Sequence, residues 1–326
     1  MKKAIASFLS KLYEKIVLFS QDSYRKTPGK IRKAGARVIS VGNITWGGTG
    51  KTPLVAALAR HAADMGKKVA VLTRGYGKDE VEELKAALPG VPIVVGRDRI
   101  KSAREAVEKH GAEILILDDG FQHIRLHRDL DIVNINATLP FGPGGLIPLG
   151  TLREPLENLS RADIFVLTKS DIGSKNLHWI RQRLGQLKAN AVIFEAVHKP
   201  VGMKDLKSGG PLQLSELRGK RLATITGIGD PYSFEKTVEK LGAQILLAAR
   251  FDDHHAYSAG ELKEFVKRCA ELQVREIVTT QKDFYRLEPI LRANGASGLG
   301  DVRFMVLQME FQVNEEEDFI RRCFNP

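Results

Sequence analysis

One stretch limits this chain more than any other: Gly42-Asn43-Ile44-Thr45-Trp46-Gly47-Gly48-Thr49-Gly50-Lys51-Thr52, preceded by the run Arg37–Val41 and followed by a helical pattern opening at Pro53. A strand that runs into a glycine-rich loop and then a helix is the setting of a P-loop. Glycines let backbone N–H groups turn inward around phosphate oxygens, and the helix N-terminus adds its partial positive charge. Gly47, Gly48, Thr49 and Gly50 supply that cradle, Lys51 reaches the β- and γ-phosphates of a nucleotide, and the Thr52 hydroxyl is a ligand for Mg²⁺. Proline is tolerated in the first helical turn because its missing N–H has no intrahelical partner there. One position departs from GxxxxGK[ST]: Thr45 stands where the first glycine is expected, with Gly47 and Gly48 as the candidate source of the same backbone freedom.

A nucleotide site of this kind needs a second half, an apolar strand ending in an acidic residue. Ile114-Leu115-Ile116-Leu117-Asp118-Asp119 fits that description. An all-apolar strand belongs in the middle of a sheet, so Asp118 and Asp119 should emerge at its C-terminal edge as candidate Mg²⁺ ligands. Further β-branched runs at 68–72, 93–95, 132–135, 164–168 and 191–194 alternate with helical patterns such as Pro53–Met65 and Lys101–His110. That alternation predicts an α/β fold, P-loop NTPase-like, with a mostly parallel sheet and helices on both faces. The passage Lys199–Pro211 reads as a boundary or linker, after which strands restart at 222–226, 244–247, 277–279 and 304–307. The expected organisation is an N-terminal helix over 1–25, a P-loop domain over 26–200 and a smaller C-terminal α/β domain over 201–326.

Charge narrows the company the chain keeps. Fifty Lys+Arg against 39 Asp+Glu give a formal net charge of +11, which favours a nucleotide, a nucleic acid or an anionic lipid surface. The aromatic residues show no interleaving with a basic stripe, so a nucleic-acid partner is not expected. Two cysteines, Cys269 and Cys323, are too few for a disulfide framework. Near the N-terminus Ile5, Phe8, Leu9, Leu12, Ile16 and Phe19 recur at three- and four-residue steps among Lys2, Lys3, Lys11 and Lys15. This is the stripe of an amphipathic helix. Its longest apolar run, Ile16–Phe19, is far short of the ~20 residues that span a bilayer, and no signal-peptide cleavage site is expected. Such a helix either lies in a membrane interface or packs its apolar face on the protein's own surface.

Taken in order, the motifs resemble those of the tetraacyldisaccharide 4'-kinases. The matching stretches are Val41–Ile44 through Gly47–Pro53, Arg74-Gly75-Tyr76-Gly77, Gly96-Arg97-Asp98-Arg99, Asp118–His123 and Leu149–Leu156. In the second half they are Gly227–Pro231, Phe251–His255 and Thr279–Asp283. The segment between Gly77 and Gly96 is shorter than is usual in that family, with Lys78–Val81 the nearest echo of its Gly-Asp-Glu-Pro-like stretch.

The resemblance implies an ATP- and Mg²⁺-dependent kinase that phosphorylates the 4'-hydroxyl of a tetraacyldisaccharide-1-phosphate lipid acceptor. It implies a peripheral protein at the cytoplasmic face of the bacterial inner membrane, docked through the N-terminal helix. It assigns Asp98 as the catalytic base paired with His254 of the second domain, and so implies that the domains close during catalysis. Arg153 is implied on the nucleotide side, Glu154 as a further Mg²⁺ ligand, and Gln122 and His123 in the shell around metal and phosphate. Arg97 and Arg99 would favour the ionised form of Asp98 if their side chains turn toward it. The residues also admit an alternative, a P-loop GTPase or metallochaperone-type NTPase, because Thr168-Lys169-Ser170-Asp171 resembles the TKxD loop that reads guanine.

Overall fold

A computed structural model describes residues 2–27, 29–47, 50–75, 78–294 and 302–325. The chain divides into two compact units, one of residues 1–197 with 311–326 and one of residues 198–310.

In the first unit, helix α1 (Lys2–Lys26) leads into β1 (Arg37–Asn43), α2 (Lys51–Asp64), β2 (Val69–Thr73), α3 (Lys78–Ala87), β3 (Ile93–Val95) and α4 (Arg99–His110). There follow β4 (Ile114–Asp118), β5 (Leu130–Asn136), β6 (Ile164–Thr168), α5 (Ser174–Leu187) and β7 (Val192–Asp205), which leads out of the unit. The strand order is β7-β6-β5-β1-β4-β2-β3, with parallel pairing throughout. Every residue of β2, β4 and β6 is buried, as strands covered on both faces require. Period two sorts their side chains: Ile39, Ile114 and Ile116 join Leu54, Leu58 and Ala62 of α2, whereas Val38, Leu115 and Leu117 join Ala103 and Ala106 of α4. The P-loop strand β1 is therefore central, flanked in register by β4 (Val41 beside Asp118) and β5 (Asn43 beside Asn134).

The second unit contains β8 (Pro211–Leu212), β9 (Arg221–Thr226), α6 (Pro231–Lys240), β10 (Gln244–Arg250), α7 (Ala259–Glu271), β11 (Glu276–Thr280), α8 (Gln281–Asn294) and the first part of β12 (Arg303–Val313). Parallel strands in the order β10-β9-β11-β12 form its sheet. Leu262, Phe265 and Cys269 pack on one face, and Phe234 and Val238 on the other.

Two boundary expectations are corrected. The passage 199–211, read as a boundary or linker, does lie just past the division between the units, but it is two strands and a turn: β7 continues to Asp205 and pairs antiparallel with β8, Met203 facing Leu212. Met203 and Leu217 are fully buried beneath it, and that burial holds a polar sequence in a strand. The second unit also ends earlier than 326, because residues 311–326 belong to the first. The cause is α9 (Glu316–Phe324), whose Phe319 and Cys323 are buried in the same core as α2. Phe319 meets Phe194 edge to face at 5.2 Å. The Arg37 guanidinium donates to the carbonyls of Cys323 and Phe324, which the helix end leaves without intrahelical donors. Burying Phe319 alone is worth about 2 kcal/mol, enough to fix where the tail docks.

Candidate active site

The loop after β1 is built without a side-chain cap. Gly50 is the N-cap of α2 in the left-handed region (φ 76°), so the helix's first N–H groups are left for a ligand. Gly47 also has a positive φ, 115°, and supplies a turn two residues after Thr45, where the sequence pattern expected it. Thr45 has no such need: it forms an antiparallel bridge with Leu152, while Trp46 N–H donates to the Thr151 carbonyl and Arg153 N–H to the Ile44 carbonyl. The first half of the loop is thus zipped to the segment that carries Arg153 and Glu154. Gly48 and Thr49, expected in the phosphate cradle, lie outside the described residues, as do Tyr76 and Gly77.

At the end of β4, Asp118 and Asp119 part company. Asp119 has φ 53°, rare for a residue with a side chain, and its carboxylate receives both guanidinium nitrogens of Arg153 at 2.6 and 3.1 Å. Lys51 Nζ lies 3.6 Å from the same carboxylate. Burial raises the pKa of Asp119, but Lys51 and Arg153 outweigh it and hold the carboxyl below its ordinary range. Asp118 is more deeply buried, and loss of solvent pushes its carboxyl up, with Lys51 pulling the other way. Thr73 donates to its Oδ2 at 3.1 Å; Oδ1 is buried with no hydrogen-bond donor. A buried carboxylate oxygen without a donor, beside Lys51 and one strand from Thr52, suits a hard cation that takes only one or two protein oxygens. Of the two aspartates Asp118 fits Mg²⁺, and Asp119 is committed to the two cations.

Glu154, which the family resemblance implied as a Mg²⁺ ligand, has both carboxylate oxygens engaged by other side chains. Its side chain is fully buried and four side chains donate to it: Gln122 and Arg161 to Oε1 (2.8 and 3.1 Å), Gln21, Asn158 and Arg161 to Oε2 (2.7, 2.8 and 2.9 Å). With both oxygens engaged, it anchors the loop instead of offering a site to a metal in this geometry. Gln122 bridges Glu154 and the Asn43 carbonyl. His123 is pushed down to about 4, by burial first and then by Arg99, Arg125 and Arg128, so its ring is neutral at neutral pH.

Asp98 is the exposed N-cap of α4, accepting from the N–H groups of Ile100 (3.0 Å) and Lys101 (3.3 Å). Those bonds, Lys101 first, hold its carboxyl below the ordinary range. The Arg99 guanidinium, which would favour the ionised form if turned toward Asp98, is buried and donates to the carbonyls of Gly96 and Asp118. Arg99 therefore braces the strand end that presents Asp118.

His254, in the second unit, is exposed and has φ 63°. Its N–H donates to the Gly227 carbonyl. Beneath it Asp283 is fully buried and accepts from Gly227 N–H (2.9 Å), Tyr257 O–H (2.7 Å) and Thr280 O–H (2.7 Å). Arg286 donates to the carbonyls of Gly227 and His255. The second-half motifs are the frame of one loop, which exposes His254 together with Asp252 and Asp253.

Sequence reasoning did not single out Asn43, Asn158, Arg161 or Thr73. Asn43 lies inside the quoted motif and accepts from Arg153 while donating to the Thr45 carbonyl. Arg161 stacks on Phe121 at 4.3 Å and clamps Glu154, a role that nothing local to its sequence signals. Among the described residues there is no cluster of three or more His, Cys, Asp or Glu able to hold a metal.

Known proteins resemble this chain along nearly its whole length. The family model for tetraacyldisaccharide-1-P 4'-kinase matches residues 3–324. A tetraacyldisaccharide 4'-kinase of Halothermothrix orenii is 38% identical over 313 residues, covering 86% of this chain and 81% of the relative. One from Desulfatibacillum aliphaticivorans is 35% identical over 350 residues, covering 98% and 92%. A crystal structure of LpxK from Aquifex aeolicus in complex with ATP is similar at TM-score 0.71 and 28% identity, covering 99% of both chains.

Proposed function

The chain belongs to the tetraacyldisaccharide-1-phosphate 4'-kinase family, and from that premise we propose how its residues carry the reaction. The reaction is transfer of the ATP γ-phosphoryl group to the 4'-hydroxyl of a tetraacylated glucosamine disaccharide-1-phosphate in lipid A synthesis. The observation that carries the assignment is the meeting of Lys51, Arg153, Asp119 and the undonated oxygen of Asp118 at one sheet edge beside an uncapped helix. The GTPase or metallochaperone alternative is set aside, since the relatives are kinases.

Lys51 and Arg153 are held in advance on Asp119, so the two cations are already oriented when the triphosphate arrives and draws them onto its oxygens. Asp118 and the Thr52 hydroxyl would hold Mg²⁺, which when bound offsets charge on the phosphate oxygens. Gln122, Asn158 and Arg161 keep Glu154 fixed, and through it the backbone that carries Arg153. Asp98 accepts the proton of the acceptor hydroxyl; its low pKa keeps it ionised at neutral pH, and it acts by position more than by basicity. His254 is the second catalytic candidate.

Helix α1 presents the lipid surface. Ile5, Phe8, Leu9, Leu12, Ile16 and Phe19 are all exposed, Phe19 by 79%, while Ser10, Tyr13 and Gln21 on the opposite side are bonded to Leu146, Arg153 and Glu154. An apolar stripe turned outward with Lys11 and Lys15 beside it suits the interface of an anionic bilayer at the cytoplasmic face. No described helix is long and apolar enough to cross a membrane.

The test is transfer from γ-labelled ATP to a tetraacyl glucosamine disaccharide-1-phosphate in mixed micelles. Labelled lipid is expected from the native chain and almost none from Asp98→Ala; no labelled lipid from the native chain would overturn the reading. Removing residues 1–20 should release the protein from anionic vesicles, and unchanged binding would remove α1 from its proposed role.

A further inference from the structure

Helix α1 has two faces, and its proposed lipid contact uses only one. Ser10, Tyr13, Val17, Gln21 and Tyr24 recur at three- and four-residue steps on the side away from the apolar stripe. Each of them is buried or half-buried, whereas the stripe is exposed. A helix kept only as an anchor needs no more than apolar contacts on its inner side. Here that side carries a hydroxyl, a phenol and an amide, and each is bonded to a partner more than 130 residues away.

All three bonds land on one segment. Ser10 O–H donates to the Leu146 carbonyl at 2.9 Å, Tyr13 O–H to the Arg153 carbonyl at 2.8 Å, and the Gln21 amide to Glu154 Oε2 at 2.7 Å. The Asn158 amide returns to Gln21 Oε1 at 3.0 Å. The Tyr13 ring packs against the core that contains Leu146 and Leu152, which fixes where its hydroxyl points. Loss of solvent raises the pKa of that hydroxyl, so it stays a donor throughout the neutral range. The consequence falls on Arg153. Its N–H donates to the Ile44 carbonyl at 2.8 Å, just past the P-loop strand, and its own carbonyl accepts from Tyr13. The main chain of this residue is therefore pinned from the phosphate loop on one side and from α1 on the other. Its guanidinium is the group held on Asp119 at 2.6 and 3.1 Å. A long side chain reaches only from where its backbone is fixed, so a loosened Arg153 carbonyl spreads the guanidinium over more positions.

We propose that Tyr13 is a positioning residue for the nucleotide: through the Arg153 carbonyl it holds the guanidinium where the triphosphate meets it, which makes α1 a built-in part of the nucleotide site as well as a lipid-facing element. The proposal rests on the nucleotide site assigned above and deepens it. Tyr13 acts through Arg153 and does no chemistry of its own. A helix that merely tethers the chain to a bilayer leaves ATP affinity untouched when lipid is absent. A helix that holds Arg153 does not.

The experiment is a double-mutant cycle on the full chain without lipid, read as displacement of a fluorescent ATP analogue by ATP. Tyr13→Phe keeps the ring in its core contact and removes only the hydroxyl. It should weaken ATP binding about three- to fivefold, a loss bounded by the strength of a single hydrogen bond. Arg153→Ala should weaken it about tenfold or more, as loss of a charged hydrogen-bond donor does. Tyr13→Phe added to Arg153→Ala should bring no further loss, because the guanidinium through which Tyr13 acts is gone. A merely structural role would not produce that non-additivity. If Tyr13→Phe binds ATP as the native chain does, or weakens binding by the same factor in both backgrounds, Tyr13 does not position Arg153. If Arg153→Ala alone binds ATP as tightly as the native chain, the site assignment fails and the proposal with it, a failure visible in that arm by itself.

Discussion

Two buried or half-buried carboxylates organise the two units, and they do different work. Asp119 in the first unit is ringed by cations, Arg153 and Lys51, that a phosphate can draw away. Asp283 in the second is ringed mainly by neutral donors, Gly227 N–H and the hydroxyls of Tyr257 and Thr280, with Arg286 at 3.4 Å. The first cluster keeps an unmatched oxygen on the neighbouring Asp118 and strain at Asp119 itself. In the second, Asp283 is enclosed, and the strain falls on exposed His254. Motif residues thus have two surroundings: in one unit they gather cations and a carboxylate oxygen without a donor, in the other they frame a loop whose Asp252, Asp253 and His254 are exposed.

Substitutions can break that contrast. Lys51→Ala should lower phosphoryl transfer by about 10³-fold, the upper range for losing one preorganised charge, with little change in melting temperature. A comparable loss of stability would make the first cluster structural too. Asp283→Ala should do the reverse, leaving three donors unmatched at about 1 kcal/mol or more each and lowering Tm by about 10 °C, as calorimetry would read. An unaltered Tm would show that the second cluster is not a frame.

Asp98→Asn sharpens the comparison further, because asparagine keeps the helix N-cap and removes only the proton acceptor. Turnover should fall about 10²-fold with Tm unchanged and ATP affinity preserved; loss of stability alone would return Asp98 to a capping role. His254→Ala should likewise depress turnover far more than ATP binding, and equal losses would exclude it from catalysis.

The smallest expected effect is one of pH. His123 is neutral in the folded first unit, its pKa pushed down to about 4 by burial and by the arginines around it. The unfolded chain takes up this proton below about pH 6.5 and the folded chain does not, so the stabilisation is complete above 6.5 and is lost as pH falls through 4. His123→Gln should flatten that part of the pH profile, measured as urea midpoints at pH 7 and pH 4.5. An unchanged slope would assign the acid sensitivity to other groups.

Much of this was legible before any coordinates. The runs at 93–95 and 164–168 return as β3 and β6 with the same bounds, because short β-branched and apolar runs between polar segments favour strands, whether buried throughout as β6 or only at the middle residue as β3. The apolar stripe of α1 was legible as well; that it faces outward was not, since periodicity fixes a face but not its partner. Lys51 could be read from its loop. That Asp118 and not Asp119 keeps an oxygen for a metal could not, because Arg153 reaches Asp119 across 34 residues of chain.

The sequence by itself determined the order of strands and helices, the phosphate loop and the family, all of which rest on local pattern and spacing. The tertiary structure decided that donors engage both oxygens of Glu154, that Arg99 donates to the Asp118 carbonyl, and that residues 311–326 return to the first core. Each of those outcomes is a competition between partners distant in sequence for one donor, one acceptor or one buried surface. Only the folded geometry says which partner is near enough to win.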